Sequence, residues 1–520
     1  MQLKIVKSNN QRIYGLTPND AEILKDSLTF NNPAYLKAKR YGRNRYISIP
    51  PYLTYYNEET EREGLSRIKV LECPIGVNLT SILKQPMIPI EDKRITVDVK
   101  YPKFKLELRD SQKKAETAYM QELNYSINPK SIIQLPTGKG KTILALHLAQ
   151  RLGQKTLVLV HKDDLVVGWT GDIKLCFGDD IEVGLLKAKS RKVGEQITIA
   201  TVQTLGKMSE EELNTYTNQF GFVIQDECHH VGLNIFNIID KFNSKYKLGL
   251  SATPKRSDGL DFVFDLYFGG ICYKHKVTED DEDICSVEVE VLKSPCKFRP
   301  FLHKGQVFNY YDFRKDELPS NLVFLDQMEY KDRPTVPYLN IDDSVVSNRQ
   351  TKIMVCKNII KEYREGHSII ALFTQKDHIT QYYRYLCRYI PKEQIILYYG
   401  DSKEKSEVMM KNAEDRKVLV TLATYAKATE GTNVKSWEVE FLVSSLNNSK
   451  NVEQATGRIR RRKEGKLNPV KVYDIYYEDC YSLKNHLNTR LSTYKRLKYK
   501  VKGANLKNYH KGLFSRGYEN

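Results

Sequence analysis

Three short stretches hold residue types at spacings suited to moving a phosphoryl group. The first is Gln134–Leu146, QLPTGKGKTILAL. A phosphate-binding loop usually reads Gly, four residues, Gly, Lys, then Ser or Thr. Gly140, Lys141 and Thr142 fit, while Leu135 stands where the first glycine belongs. Gly138 and Gly140 let the backbone turn tightly, and Pro136 pre-sets the turn without needing a donor. With Pro136 opening the loop, the backbone N–H groups of Thr137–Thr142, including those of Thr137 and Lys139, would cradle phosphates at a helix N-terminus. Lys141 would reach the β- and γ-phosphates, and the Thr142 hydroxyl would hold Mg²⁺. The second stretch is FVIQDECHHV, where an apolar strand ends in Asp226 and Glu227. A carboxylate at such a strand end is where an NTPase needs its metal ligand, and its neighbour can polarise the attacking water. His229 reads either as a γ-phosphate sensor or as a capping histidine. The third is QATGRIRRR, in which Gln454, Gly457, Arg458 and Arg461 have the spacing Q-x-x-G-R-x-x-R. Two guanidiniums one helical turn apart can address one anion, so Arg458 and Arg461 are candidate arginine fingers, and Gln454 joins them as a catalytic candidate.

The elements that must carry these residues follow from hydrophobic patterning. SIIQL, TLVLV, ITIA, FGFVI and KLGLS are candidate strands in the first half; SIIALF, QIILYY, KVLVTLA, VEFLVSS and PVKVYDI form a second set. Continuous rather than alternating apolar character suits parallel strands covered by helices on both faces. The expectation is therefore an α/β protein with two parallel-sheet lobes. Its parts would be a small N-terminal α+β domain over 1–105, a nucleotide-binding lobe over 106–280, and a linker or insertion over 281–343. A second lobe over 344–480 and a basic tail over 481–520 complete it.

The 520 residues carry 82 Lys and Arg against 64 Asp and Glu, a net charge of +18, which favours a polyanionic partner. Nine scattered cysteines form no C-x-x-C pair, which argues against a disulfide framework or zinc site and for a reducing compartment, the cytoplasm. No apolar run approaches the roughly 20 residues of a membrane span, so no membrane partner is expected. Near the N-terminus Lys37, Lys39, Arg40, Arg43 and Arg45 interleave with tyrosines, a mix suited to phosphate contact with stacking.

Taken together, PTGKGKT, DECH, SATP (Ser251–Pro254) and QATGRIRR resemble the motifs of superfamily 2 DExH helicases in order and spacing. That family's loop opens with a non-glycine residue, which accounts for Leu135. The resemblance spans roughly 105–477 and implies two tandem RecA-like lobes, ATP as the nucleotide and Mg²⁺ as its partner. It further implies that Gln112 reads the adenine edge with Arg109 supporting it, and that Ser251 and Thr253 couple hydrolysis to strand contact. His161, Thr201, Gln203 and Thr204 fall in motifs that track nucleic acid on the first lobe; Thr374, Gln375 and Thr424 fall in those of the second. Gly431 matches a nucleotide-contacting motif, and Asn433 stands where many relatives have aspartate. The segment after SATP and the N-terminal region resemble the phage UvsW-like branched-DNA helicases. The implied activity is an ATP-dependent DNA helicase or translocase that remodels forks and junctions and works as a monomer. The alternatives are an RNA or transcript-release helicase, or a motor subunit that needs a partner.

Overall fold

The computed structural model describes the chain except residues 1, 41–48, 64–65, 137, 189, 229–237, 253–258, 276–283, 304–305, 313–317, 320–321, 329–336, 401–402, 430–433, 479 and 504–520. It divides into two compact units, Met1–Lys276 and Val277–Asn520.

All ten strands expected from the apolar runs form. In the first unit they build an eight-stranded sheet. Its central members run in the order Ile197–Thr201, Thr156–Val160, Phe222–Gln225, Tyr246–Ser251 and Ile132–Gln134, all parallel. Every residue of Thr156–Val160, Ile197–Thr201 and Phe222–Gln225 is buried, the signature of strands covered on both faces. Parallel order gathers the carboxyl ends of the strands along one edge, where α/β proteins bind ligands. Gln134, Val160, Thr201, Gln225 and Ser251 all finish there.

The N-terminal region forms its own five-stranded sheet over Lys4–Asp92, antiparallel except where Lys4–Lys7 pairs with Ile90–Asp92. It does not stand apart from the first lobe. Ile5, Ile13, Leu24, Leu71 and Val77 share one apolar core with Leu157, Leu159, Phe264 and Phe268. Phe30 and Phe262 stack with ring centroids 3.8 Å apart. Gly76 lies against the end of helix Val263–Phe268 so closely that a Cβ would sit 2.5 Å from the Gly269 amide, and its own N–H donates to the Leu266 carbonyl at 2.8 Å.

The second unit is a seven-stranded, all-parallel sheet. Two of its strands correct the expected boundaries. Val287–Lys293, inside the supposed linker, pairs along its whole length with Val470–Tyr476. Its valines 287, 289 and 291 are buried in the core and its glutamates alternate outward, a half-buried pattern unlike the continuous runs of the other strands. Beyond Tyr481, helix Tyr481–Arg496 and strand Lys500–Gly503 belong to the same unit. Arg490, expected on a basic tail, is buried: its Nε bonds Asp474 at 2.8 and 3.0 Å, and its Nη1 bonds Ser445 Oγ at 2.7 Å and the Leu446 carbonyl at 2.9 Å. A fully satisfied buried pair of this kind pins the helix to the strand.

Candidate nucleotide site and nucleic-acid groove

The phosphate loop lies between strand Ile132–Gln134 and helix Lys141–Leu152. Gly138 and Gly140 have φ of 88° and 71°, in the left-handed region that side chains avoid. At Gly140 a Cβ would fall 2.5 Å from Gln112 Nε2. Arg109 and Gln112 hold this loop from outside. Arg109 Nη1 donates to the Gly138 carbonyl at 3.2 Å, and Gln112 Nε2 to the Gly140 carbonyl at 2.9 Å. Gln112 Oε1 accepts from the Arg109 amide at 2.8 Å, and the residue is buried. Both ends of its amide thus make a bond within the protein, and Gln112 latches the loop. Lys139 is fully buried, and its N–H donates to the Pro136 carbonyl at 3.3 Å within the loop.

Lys141 Nζ sits 3.5 Å from the Leu135 carbonyl and 3.3 Å from Glu227 Oε1. Asp226 follows strand Phe222–Gln225 and is buried; its Oδ1 accepts from the Glu227 amide at 2.9 Å and its Oδ2 from Trp169 Nε1 at 2.8 Å. Burial, and then the neighbouring Glu227 charge, push its carboxyl up to about 6, while Trp169 and Lys141 pull the other way. A carboxylate so destabilised gains from a cation placed against it. Glu227 itself adopts φ 45°, uncommon for a residue with a Cβ and a cost of order 1–3 kcal/mol that clusters at functional sites. Trp169 carries no motif signal: it approaches from helix Asp163–Phe177, 57 residues away in sequence. Ser251 ends the strand beside the loop, its carbonyl accepting from the Leu135 amide at 3.1 Å, and Gln134 Nε2 donates to the Ala252 carbonyl at 3.1 Å. The start of the loop is therefore tied to Ser251 and Ala252 by one backbone bond and one side-chain bond. Thr137, His229 and Thr253 lie outside the described residues.

Four residues assigned to strand tracking come together on the same lobe. His161, Thr201, Gln203 and Thr204 line one groove of about 540 Å³. Gln203 Nε2 donates to the His161 carbonyl, and the Thr201 and Thr204 hydroxyls lie 2.7 Å apart. The groove adds cations that no motif marked: Lys162, Lys187, Arg191 and Lys207. Lys187 is 3.1 Å from Asp163, and Arg191 is 2.5 Å from Glu212. A larger cavity, about 630 Å³, lies between the N-terminal sheet and the lobe, lined by Glu72 and Asp240, whose charge is wrong for phosphate. Of the N-terminal basic residues, Lys37 and Lys39 are exposed on helix Pro33–Arg40; Arg43 and Arg45 lie outside the described residues, and Arg40 is placed by its backbone alone.

In the second unit Thr374 and Thr424 sit at the carboxyl ends of adjacent strands, since Phe373 pairs with Thr424. The Thr374 amide donates to Ser444 Oγ at 3.0 Å, and Gln375 Nε2 donates to the Leu339 carbonyl at 3.1 Å. Gln454 and Arg458 share helix Ser449–Ile459 one turn apart. That helix ends at Ile459, so Arg461 is not a turn further along it, as its spacing implied. A β-bridge with Ile284 sets it instead. Between the two, Arg460 is buried, donates to the Cys285 carbonyl at 3.3 Å and lies 5.3 Å from the centre of the Tyr499 ring. Glu430, Gly431 and Asn433 fall outside the described residues.

A glycine loop after a strand, a strand-end Asp-Glu pair and parallel sheets in both units are the arrangement of the RecA-like fold. Residues 105–256 match the family model described as the type III restriction enzyme res subunit. Over 415 residues, 78% of each chain, the sequence is 28% identical to "Probable helicase D10" of Escherichia phage T5. It is 23% identical to "ATP-dependent DNA helicase uvsW" of Enterobacteria phage T4 over 71% of this chain and 70% of that one. "The fragment structure of a putative HsdR subunit of a type I restriction enzyme from Vibrio vulnificus YJ016" shares the fold, with a TM-score of 0.51 at 17% identity over 77% of this chain and 68% of that one. These matches support the resemblance of the chain to superfamily 2 helicases. No helix among the described residues is long and apolar enough to cross a membrane.

Proposed function

We propose that this protein is an ATP-dependent DNA helicase or translocase that remodels branched DNA. The observation that carries the ATP-driven part is the convergence of Lys141 and Glu227, 3.3 Å apart, beside the buried Asp226 and under a glycine loop with two left-handed residues. The loop amides and the first turn of helix Lys141–Leu152 would bind phosphate, with Lys141 on the terminal phosphates. Thr142 and Asp226 would hold Mg²⁺, which when bound neutralises phosphate charge. The donor set fits: a hydroxyl at the helix start and a buried carboxyl whose negative charge its surroundings disfavour. Glu227 would take the proton of the attacking water, releasing Lys141 to the phosphate. Arg458 and Arg461 would balance charge on the transferred group, and Gln454 would assist.

DNA as the track is supported by the T4 relative, an ATP-dependent DNA helicase by name, and by the groove around His161, Thr201, Gln203 and Thr204 with its four cations. Phosphate contacts of that kind are independent of sequence and weaken with salt. Branched DNA is supported by the N-terminal region fused onto the lobe, with Lys37 and Lys39 exposed on its helix Pro33–Arg40. Action as a monomer in the cytoplasm is part of the same reading. The test is strand displacement from a synthetic fork and a four-way junction, with ATP and Mg²⁺ or with EDTA. Product from both substrates, lost in EDTA, supports the reading; displacement of RNA duplexes alone would replace DNA by RNA.

A further inference from the structure

A second, smaller cavity lies where the N-terminal sheet meets the first lobe, away from the strand ends that carry the nucleotide site. It measures about 30 Å³ and is lined by Lys7, Arg94, Lys245 and Lys247, together with the Gly76 and Asn128 segments. Space of that size takes about two waters or one small ion. The charges around it do not balance. Asp92 serves two of the cations at once, accepting from Arg94 at 2.7 and 2.9 Å and from Lys245 at 2.5 Å. Asp240, which reaches Lys247 from the neighbouring cavity, is 3.7 Å from it, beyond hydrogen-bond length. Among the described residues Lys7 has no carboxylate within ion-pair distance, and its ammonium donates to the Ile127 carbonyl at 2.8 Å. Yet Lys7 and Lys247 are only 4% and 7% exposed. An ammonium brings three donors, and a buried one left short of acceptors is costly.

We propose that this cavity is a site for one small inorganic anion of halide size, held by Lys7 and Lys247 beside Arg94, whose Nη1 also donates to the Lys245 carbonyl at 3.2 Å, and that the anion clamps the N-terminal sheet onto the first lobe. Four cations face two carboxylates there, so a monoanion improves the balance where water would not. The direction of the lysine shifts agrees: burial, then the Arg94 charge, push Lys7 down to about 8, and burial lowers Lys247. An anion would restore both toward their charged forms. The lining comes from three places in the chain: Lys7 and Gly76 from the N-terminal sheet, Asn128 from the segment leading into strand Ile132–Gln134, and Lys245 and Lys247 from strand Tyr246–Ser251 and the residue before it. Filling the site therefore adds a further link between parts that already meet through apolar contacts, the Asp92–Lys245 ion pair and the side-chain bonds of Lys7 to the Ile127 carbonyl and of Asn128 to the Gly76 carbonyl.

The test uses the whole chain in two ways. Crystals grown in sodium bromide should show an anomalous peak among Lys7, Arg94 and Lys247; crystals grown in ammonium sulfate, the arm for a larger oxyanion, should not hold one there. In solution, replacing gluconate by chloride at constant ionic strength should raise Tm by about 2 °C or more by 0.15 M. Lys7→Met should abolish that rise. It should also melt no lower than the parent in gluconate, because Lys7 pairs with no carboxylate. A bromide peak without any chloride dependence of Tm would mean an adventitious ion only. Water in the cavity under bromide, or an unchanged chloride response in Lys7→Met, would likewise overturn the proposal.

Discussion

At the scale of single residues, the two strand-end carboxylates have opposite surroundings. Asp226 is buried with its oxygens bonded, while Glu227 faces Lys141. Glu227→Gln should cut ATP turnover by about 10²–10⁴-fold while ATP still binds, since general-base catalysis contributes on that order. Nucleotide affinity measured beside turnover checks both halves. Asp226 must be ionised to hold a cation, and its carboxyl titrates near 6, above the ordinary carboxylate range. Activity should therefore fall as pH drops through about 6. Trp169 stabilises the ionised form through its indole N–H, so Trp169→Phe should move this acid limb to higher pH and lower kcat by about tenfold, the worth of a hydrogen bond to a charged group. An unmoved limb would separate the pH dependence from Asp226. Lys141, Asp226 and Glu227 were legible in the sequence because their chemistry depends on local spacing. Trp169 was not, because nothing local marks a contact made across a sheet.

At the scale of elements, turn geometry and pairing decide what each motif can do. Gly140→Ala must accept φ 71° and a Cβ 2.5 Å from Gln112 Nε2. It should destabilise the first unit by about 1–3 kcal/mol and weaken ATP binding, read by denaturant unfolding and nucleotide titration. The ten strands were readable because they are continuous apolar runs; Val287–Lys293 was not, because its alternating valines and glutamates resemble a surface strand until their partner is known. The same holds for Arg461, whose spacing from Arg458 implies a helix that stops at Ile459. Chains starting at residue 344 would lack Val287–Lys293, leaving Val470–Tyr476 and Lys500–Gly503 without the strand that lies between them. Such a chain should be insoluble or molten, whereas one starting at residue 277 should unfold cooperatively; circular dichroism melts of the two compare them directly.

At the scale of the whole molecule, a net charge of +18 and the cation-lined groove on the first lobe make binding to a polyanion salt-dependent. Lys187→Ala and Lys207→Ala should each weaken DNA binding about equally for all sequences and lower the slope of log affinity against log salt by about one. The measurement that bears most directly on the central claim is ATP hydrolysis by the purified chain with single-stranded DNA, duplex DNA, a four-way junction or single-stranded RNA, each beside Glu227→Gln. The account predicts turnover raised by DNA, most of all by the junction, and lost in the variant. Stimulation by RNA alone, or turnover that survives in Glu227→Gln, would contradict it.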